Sequence, residues 1–201
     1  DQTRPSQWDS SIQDYLKSDS DTVIYSAIVS DSMFNEFTVD GISYDLRSSI
    51  ATESSYFDIY NLEIVAGSAM SEEDVNLGSR KVWISEEIAN IVFGSVENAV
   101  GKWIQPPGRM IGRGISDKTQ NVVTQYIIAG VYKIPSEISR KVYGIGDLVI
   151  PYTAILSSSM NKEMAKDMFS GRLVIKSNQT NIDDVEQSIS QCNVASQRAH
   201  V

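Results

Sequence analysis

The chain has 201 residues, 41% of them apolar and 21% charged, with a formal net charge of −9. That composition is globular rather than disordered, and it suffices for one ordinary domain or two small ones. It argues against nucleic acid as a partner, since binding a polyanion is driven by Lys and Arg displacing counterions. A single cysteine, Cys192, excludes an internal disulfide.

Near the start, "QWDSSIQDYLK" sets Trp8, Ile12, Tyr15 and Leu16 at helical spacing, and the polar turn "SDSD" follows. "TVIYSAIVS" reads as a strand, and two extended arms flank Asp40-Gly41, a hairpin turn signal. The second arm, "SYDLRSSIATES", runs into "SSYFDIYNLEIVAGS", where Tyr56, Phe57 and Tyr60 give one apolar-faced helical turn. Leu62, Ile64 and Ala66 then alternate as a half-buried strand halted at Gly67, and "SEEDV" is a short helix with acids in its first turn.

"KVWIS" is a strand ending on Ser85, which N-caps "EEIANIVF". Gly94 stands at the C′ position, and the apolar face is Ile88, Ala89, Val92 and Phe93. "AVGKWIQ" reads as extended and "PPGRMIGRG" as a loop. "NVVTQYIIAGVYK" is a strand apolar on both faces and ended by Pro135, and "DLVIP" is another closed by Pro151. The tail has a helix with Met160, Met164 and Met168 in a stripe, the strand "GRLVIKS", and a helix started by Thr180 and Asp183 with Ile182, Val185 and Ile189 buried. A strand and a helix at each end, around a strand-rich middle, suggest two layers built from non-contiguous pieces.

Charge is uneven along the chain. From Gly101 to Lys141 the bases Lys102, Arg109, Arg113, Lys118, Lys133, Arg140 and Lys141 face only Asp117 and Glu137, a net +5 that leaves −14 elsewhere. Such asymmetry can orient a domain near an anionic surface; the plainer reading is long loops carrying solvated bases. No apolar run approaches the ~18 residues of a spanning helix. "DQTRPSQWDSS" has no signal-peptide pattern, so the chain reads as a soluble piece of a longer protein.

The candidate chemistries fail one by one, leaving no catalytic, cofactor-binding or metal-binding residue to assign. Gly101-Lys102 lacks the earlier glycine and the following hydroxyl of a phosphate loop, since Val96 and Trp103 occupy those places. "GRMIGRG" opens no helix and reads as a flexible loop. His200 and Cys192 are the sole His and Cys, too few for a zinc site, and "DSD" at 19–21 lacks the remaining ligands of a calcium loop. No "GxSxG" elbow occurs, and the pairs Glu72-Glu73 and Glu86-Glu87 are explained by helix first turns. "NQT" at Asn178 is formally a glycosylation sequon, and the Met stripe reads as core filling before a soft binding groove.

The order of the middle segments is more informative. A "YF" turn precedes a strand ending in Ala-Gly, then come acids, "VWIS" feeding a helix that ends in "FG", "NAVGK", a strand ending in "GV", a proline and "DLVIP". From about Thr52 to Pro151 this resembles the MacB-like periplasmic core domain of FtsX-type ABC transporter permeases. The resemblance rests on Tyr56, Phe57, Gly67, Ser85, Ala89, Phe93, Gly94, Asn98, Val100, Gly101, Lys102, Gly130, Val131, Pro135 and Pro151.

The resemblance implies an α+β fold of two mixed lobes. Residues 1–55 and 151–201 would form a discontinuous, porter-like strand–helix–strand lobe, and residues 56–150 an inserted, sabre-like lobe. It also implies a domain between two membrane helices of a permease, on the periplasmic side of a bacterial inner membrane. Such a domain is not an enzyme; ATP hydrolysis resides in a separate nucleotide-binding domain. Its implied partners are a second permease copy, the cognate ATP-binding subunit, and an adaptor or cargo. Tyr56, Phe57 and Tyr60 would then pin the crossing between lobes, with Tyr hydroxyls at the rim, each ring stabilising by roughly 1.5–3 kcal/mol. The alternative is a free-standing envelope protein that holds a lipid or peptide between its lobes, in a pocket lined by Met160, Met164 and Met168.

Overall fold

The structure, a computed structural model, describes residue 13 and residues 23–32, 34–106, 125–155 and 172–177. In chain order these form β1 (Val23–Asp31), β2 (Glu36–Val39), β3 (Ile42–Asp45), β4 (Ser49–Thr52), α1 (Tyr56–Ile59), β5 (Glu63–Gly67), α2 (Glu72–Leu77) and β6 (Lys81–Ser85). There follow α3 (Glu86–Phe93), α4 (Val96–Ala99), β7 (Trp103–Ile104), β8 (Tyr126–Lys133), α5 (Glu137–Tyr143), β9 (Leu148–Pro151), a 3-10 turn (Tyr152–Ile155) and β10 (Arg172–Ser177). The stripe Met160, Met164 and Met168, the loop 108–114, the sequon at Asn178, the helix after Thr180, Cys192 and His200 lie outside the described residues. So does most of the first helix, of which Gln13 is described and helical.

Eight strands make one mixed sheet in the order β10-β1-β4-β9-β6-β8-β5, with β7 pairing the start of β8. β1 serves two neighbours: residues up to Val29 pair with β10, while Ser30 and Asp31 pair with β4. β2 and β3 form a separate hairpin that turns at Asp40-Gly41, both left-handed with φ of 50° and 81°. This is the geometry a two-residue hairpin loop demands. Thr38 ties the hairpin to the rest by exchanging two backbone hydrogen bonds with Gln105, at 2.7 and 3.0 Å.

Central strands are covered on both faces. Val82, Trp83 and Ile84 in β6, and Leu148, Val149 and Ile150 in β9, are consecutive and all buried, the pattern of a strand with no solvent side. α3 forms where its punctuation places it: the Ser85 hydroxyl accepts from the Ile88 N–H, Gly94 turns left-handed, and Ile88 and Ala89 face the core.

Two stretches differ from the sequence reading. In "AVGKWIQ", Ala99 ends the helical turn α4, which the Ser95 hydroxyl caps by accepting from the Asn98 N–H. Gly101, at φ 80°, then redirects the chain into β7. Residues 137–143, to which the sequence reading assigns no element, form α5, with Ser136 capping its start and Gly144 its end. None of its side chains is fully buried and Ile138 is 76% exposed, so the usual inward apolar stripe is missing.

β5 and β8 approach so closely that side chains are excluded where Gly67 faces Gly130. A Cβ on Gly130 would lie 2.5 Å from the Ser68 carbonyl and 2.8 Å from Trp83 Cδ1. Gly130→Ala is therefore expected to cost about 1–3 kcal/mol in urea unfolding. An unchanged midpoint would refute that close approach.

Candidate functional site at the β4–β9 seam

Along the sheet, the strands contributed by the two ends of the chain (β10, β1, β4) stop at β4, and those of the middle begin at β9. β4 and β9 are parallel, in register from Ser49↔Leu148 to Thr52↔Pro151. Hydrophobic pairing fills this seam, with Ile50, Ala51, Val149 and Ile150 all buried. What distinguishes it is the charge at one end.

Asp147, just before β9, has a side chain only 1% exposed. A carboxylate so placed must be compensated, because removing a charge from water costs several kcal/mol. One oxygen accepts from Arg140 Nη1 of α5, and the other accepts from the Arg47 backbone N–H at 3.1 Å. The Asp147 main chain is also engaged: its N–H donates to Ser48 O, and its carbonyl accepts from the Ser85 N–H, both at 2.8 Å.

Arg140 reaches further, to Glu87 Oε2 of α3 at 2.8 Å. Its Nε lies 3.3 Å from Glu137 Oε1, an ion-pair contact without hydrogen-bond geometry. Arg47 closes the ring on the solvent side through Glu87, with Asp147 Oδ2 at 3.7 Å and Glu137 Oε2 at 3.9 Å. Desolvation pulls the Arg47 guanidinium down, and Asp147, Glu87 and Glu137 more than offset it, so its pKa rises. Two arginines and three carboxylates thus satisfy one another across β4, β9, α3 and α5. Among the described residues these charges are paired with one another, and the arrangement is a clamp.

An aromatic block covers the seam from α1. Phe57 meets Tyr132 edge-on at 5.6 Å and Trp83 at 6.3 Å. Tyr56 packs on Tyr60 at 4.9 Å, and Tyr60 on Tyr143 at 5.5 Å. Trp83 Nε1 donates to Ser68 O and the Tyr132 hydroxyl to Gly146 O. The Tyr56 hydroxyl is buried without a hydrogen-bond partner. From β10, Lys176 Nζ donates to Asp58 O at 2.9 Å and Asn61 Oδ1 at 3.0 Å, and Arg172 Nη2 to Tyr143 O at 3.3 Å. The last described strand therefore grips the block laid down by the middle of the chain.

Burial first, then the neighbouring Tyr56 and Asp147, push the Tyr132 phenol well above its ordinary range. Burial likewise raises Tyr56, and the Gly146 backbone offsets part of this without reaching hydrogen-bond geometry. For Tyr152, burial leads and the Glu53 carboxylate adds to it.

The family model of the MacB-like periplasmic core domain matches residues 2–191. The chain belongs to this family. Among solved structures, its fold is similar to the periplasmic region of MacB from Actinobacillus actinomycetemcomitans, with a TM-score of 0.65 at 18% identity over 94% of this chain and 75% of that one. It is also similar to the extracellular domain of the noncanonic ABC-type transporter YknZ from Gram-positive bacteria (0.60, 16%, 92% and 80%). A domain of a putative permease from Porphyromonas gingivalis is a third (0.59, 14%, 93% and 68%). A comparison with curated proteins found no match.

For this MacB-like domain, Tyr56 and Phe57 are core residues at the seam, as the sequence suggests, but the Tyr56 hydroxyl is buried rather than at the rim. Arg140 was read among solvated bases; it is mostly buried and paired with Asp147, because α5 turns it inward. Glu87 does more than complement a helix dipole, since it bridges both arginines. Lys102, Lys133 and Lys141 are exposed. Arg47 and Asp147 lie 100 residues apart and carry no shared motif. The local hints were Ser136 and Gly144 as caps for α5, and Glu137-Arg140 at helical spacing. Among the described residues no helix is long and apolar enough to cross a membrane.

Asp147→Ala should cost about 3–5 kcal/mol, because it strands a mostly buried guanidinium. Glu137→Ala, on the exposed side, should cost under about 1 kcal/mol. Equal urea midpoints for the two variants would remove Asp147 from the centre of the clamp. Tyr56→Phe, which deletes an unpartnered buried hydroxyl, should leave stability at pH 7 unchanged or raised. The raised phenols contribute fully below an unfolded-state pKa of about 10 and lose their contribution as pH climbs beyond it. Melting temperature should hold to about pH 9.5 and then fall, less steeply in Tyr56→Phe.

Proposed function

We propose that this chain is the extracytoplasmic domain of an ABC transporter permease, on the periplasmic side of a bacterial inner membrane. In this reading it relays ATP-driven motion of the membrane helices and docks an adaptor or cargo, within an assembly of two permease copies and a cognate ATP-binding subunit. Residues 1–55 and 151–201 form one lobe and residues 56–150 the other. The β4–β9 seam is the place where they meet.

One observation carries this reading beyond family membership. β1 and β10, the first and last described strands, pair antiparallel with Val23 opposite Ser177, so the described part of the sheet begins and ends at neighbouring points. A domain inserted between two membrane helices needs that geometry, since a pull on either helix then arrives at the same edge. From that edge the ladder runs through β4 to the clamp, and Lys176 links the edge directly to α1. Side chains around the seam are mutually engaged rather than poised for chemistry, which suits a mechanical part.

The test uses the full-length permease with Cys192→Ser and a cysteine pair, Asn61→Cys with Lys176→Cys. In intact spheroplasts a membrane-impermeant maleimide should label both cysteines; protection of both would overturn the location. Joining the pair with a short bis-maleimide should lower ATP turnover of the reconstituted transporter by about fivefold or more, an effect on the order of 1 kcal/mol in activation free energy. Unchanged turnover after complete cross-linking would overturn the relay.

A further inference from the structure

We infer that the cleft between β1, the β4–α1 turn and α2 binds a primary ammonium group carried on an alkyl stem. Its volume is about 280 Å³, just under the roughly 300–1,000 Å³ of sites for drug-sized ligands. One extended side chain fills such a space. Ile24, Tyr25 and Val75 supply apolar wall, while Ser26, Glu53 and Glu72 supply polar groups. No Lys, Arg or His is among the described lining residues.

Glu53 is the decisive group. The residue is 7% exposed. Its Oε2 accepts from Gln13 Nε2 at 2.6 Å and from the Ile28 N–H at 3.1 Å, both neutral donors. Among the described residues no cation forms an ion pair with it. Asp147 shows how this fold treats a buried carboxylate when the counter-charge is built in. Among the described residues, Glu53 has the burial without the counter-charge.

A second, independent observation lies in the same cleft. Ser26 is 4% exposed, and its hydroxyl has no hydrogen-bond partner. Its own carbonyl is already taken by the Ser55 hydroxyl at 2.6 Å. An unpaired charge and an unpaired hydroxyl therefore share one small space. An ammonium group offers three donors and a positive charge together, enough to serve Glu53, Ser26 and the exposed Glu72. Its stem lies along Ile24 and Val75. Tyr25 offers an aromatic face to a cation, a role its ring already plays for Lys176 Nζ at 5.9 Å.

This site does not depend on the transporter reading. The ammonium can come from a lysine side chain of a partner protein or from a free polyamine, and two probes separate them. In a proton–nitrogen NMR titration of this chain, spermidine and the peptide acetyl-Gly-Lys-Gly-amide are added in turn. Saturable shifts are expected at the Ser26, Ile28 and Ser55 amides, weakened about tenfold by Glu53→Gln and about threefold by Glu72→Gln. Binding of the peptide alone assigns the site to a protein lysine, and binding of spermidine alone to a polyamine; either supports the site. No saturable shift with either probe, or equal affinity in Glu53→Gln, overturns it. If Glu53→Gln does not fold, Glu72→Gln decides, and an unchanged affinity there overturns the site.

Discussion

A carboxylate withdrawn from water organises this domain. The Asp147 carboxylate is met by Arg140 and the Arg47 amide, while its main chain bonds Ser48 and Ser85. Those groups belong to α5, the β3–β4 loop and the end of β6, so one residue, through side chain and main chain together, fixes the meeting of three separate pieces of chain. Gly146 beside it is part of the same constraint: a Cβ there would sit 2.8 Å from Ile50 Cγ1. Buried ion pairs are weak sources of net stability, since desolvation offsets most of the attraction. Their effect here is on geometry, because a shifted register of β4 against β9 would carry Arg47 away from the buried Asp147.

The clamp grades from dry to wet. Arg140 and Asp147 face inward, whereas Arg47, Glu87 and Glu137 are substantially exposed. Inner pairs of this kind resist salt and the outer ones are screened by it. The seam thus has a fixed inner bond and an outer set of contacts that exchange readily with water. Across the same seam, the aromatic block joins α1 to β6 and β8 by ring edges, and β10 holds α1 through Lys176. The strands β10 and β1 are therefore joined to the middle of the chain by main-chain ladders and by a long basic side chain.

Much of the fold was readable in the sequence where punctuation was local. Ser85 and Gly94 bracket α3, Asp40-Gly41 turns the hairpin, and a continuous apolar run marks β8 as a doubly covered strand. α5 escaped because it is only seven residues long, and its apolar residues Ile138 and Val142 are exposed where most helices bury such a pair. The clamp escaped for a different reason. Its members are ordinary charged residues scattered over 100 positions, and their pairing exists only once the parallel strands align. The aromatic turn was legible as structural, yet the buried Tyr56 hydroxyl was not, since nothing nearby in sequence says which way the ring points. Glu53 likewise looks like any acid in a polar turn until Gln13 and the Ile28 amide close around it.

The parallel pairing of β4 with β9 also sets an order of assembly. A nascent chain produces β4 roughly a hundred residues before its partner, and joining strands so distant carries a loop-closure cost that local hairpins escape. The intervening stretch has ladders of its own, β5 and β6 on β8, which shorten the loop left to close between β4 and β9. Until that loop closes, β4 presents an open edge of the kind that recruits stray strands. Its brevity, four residues, keeps that hazard small during synthesis.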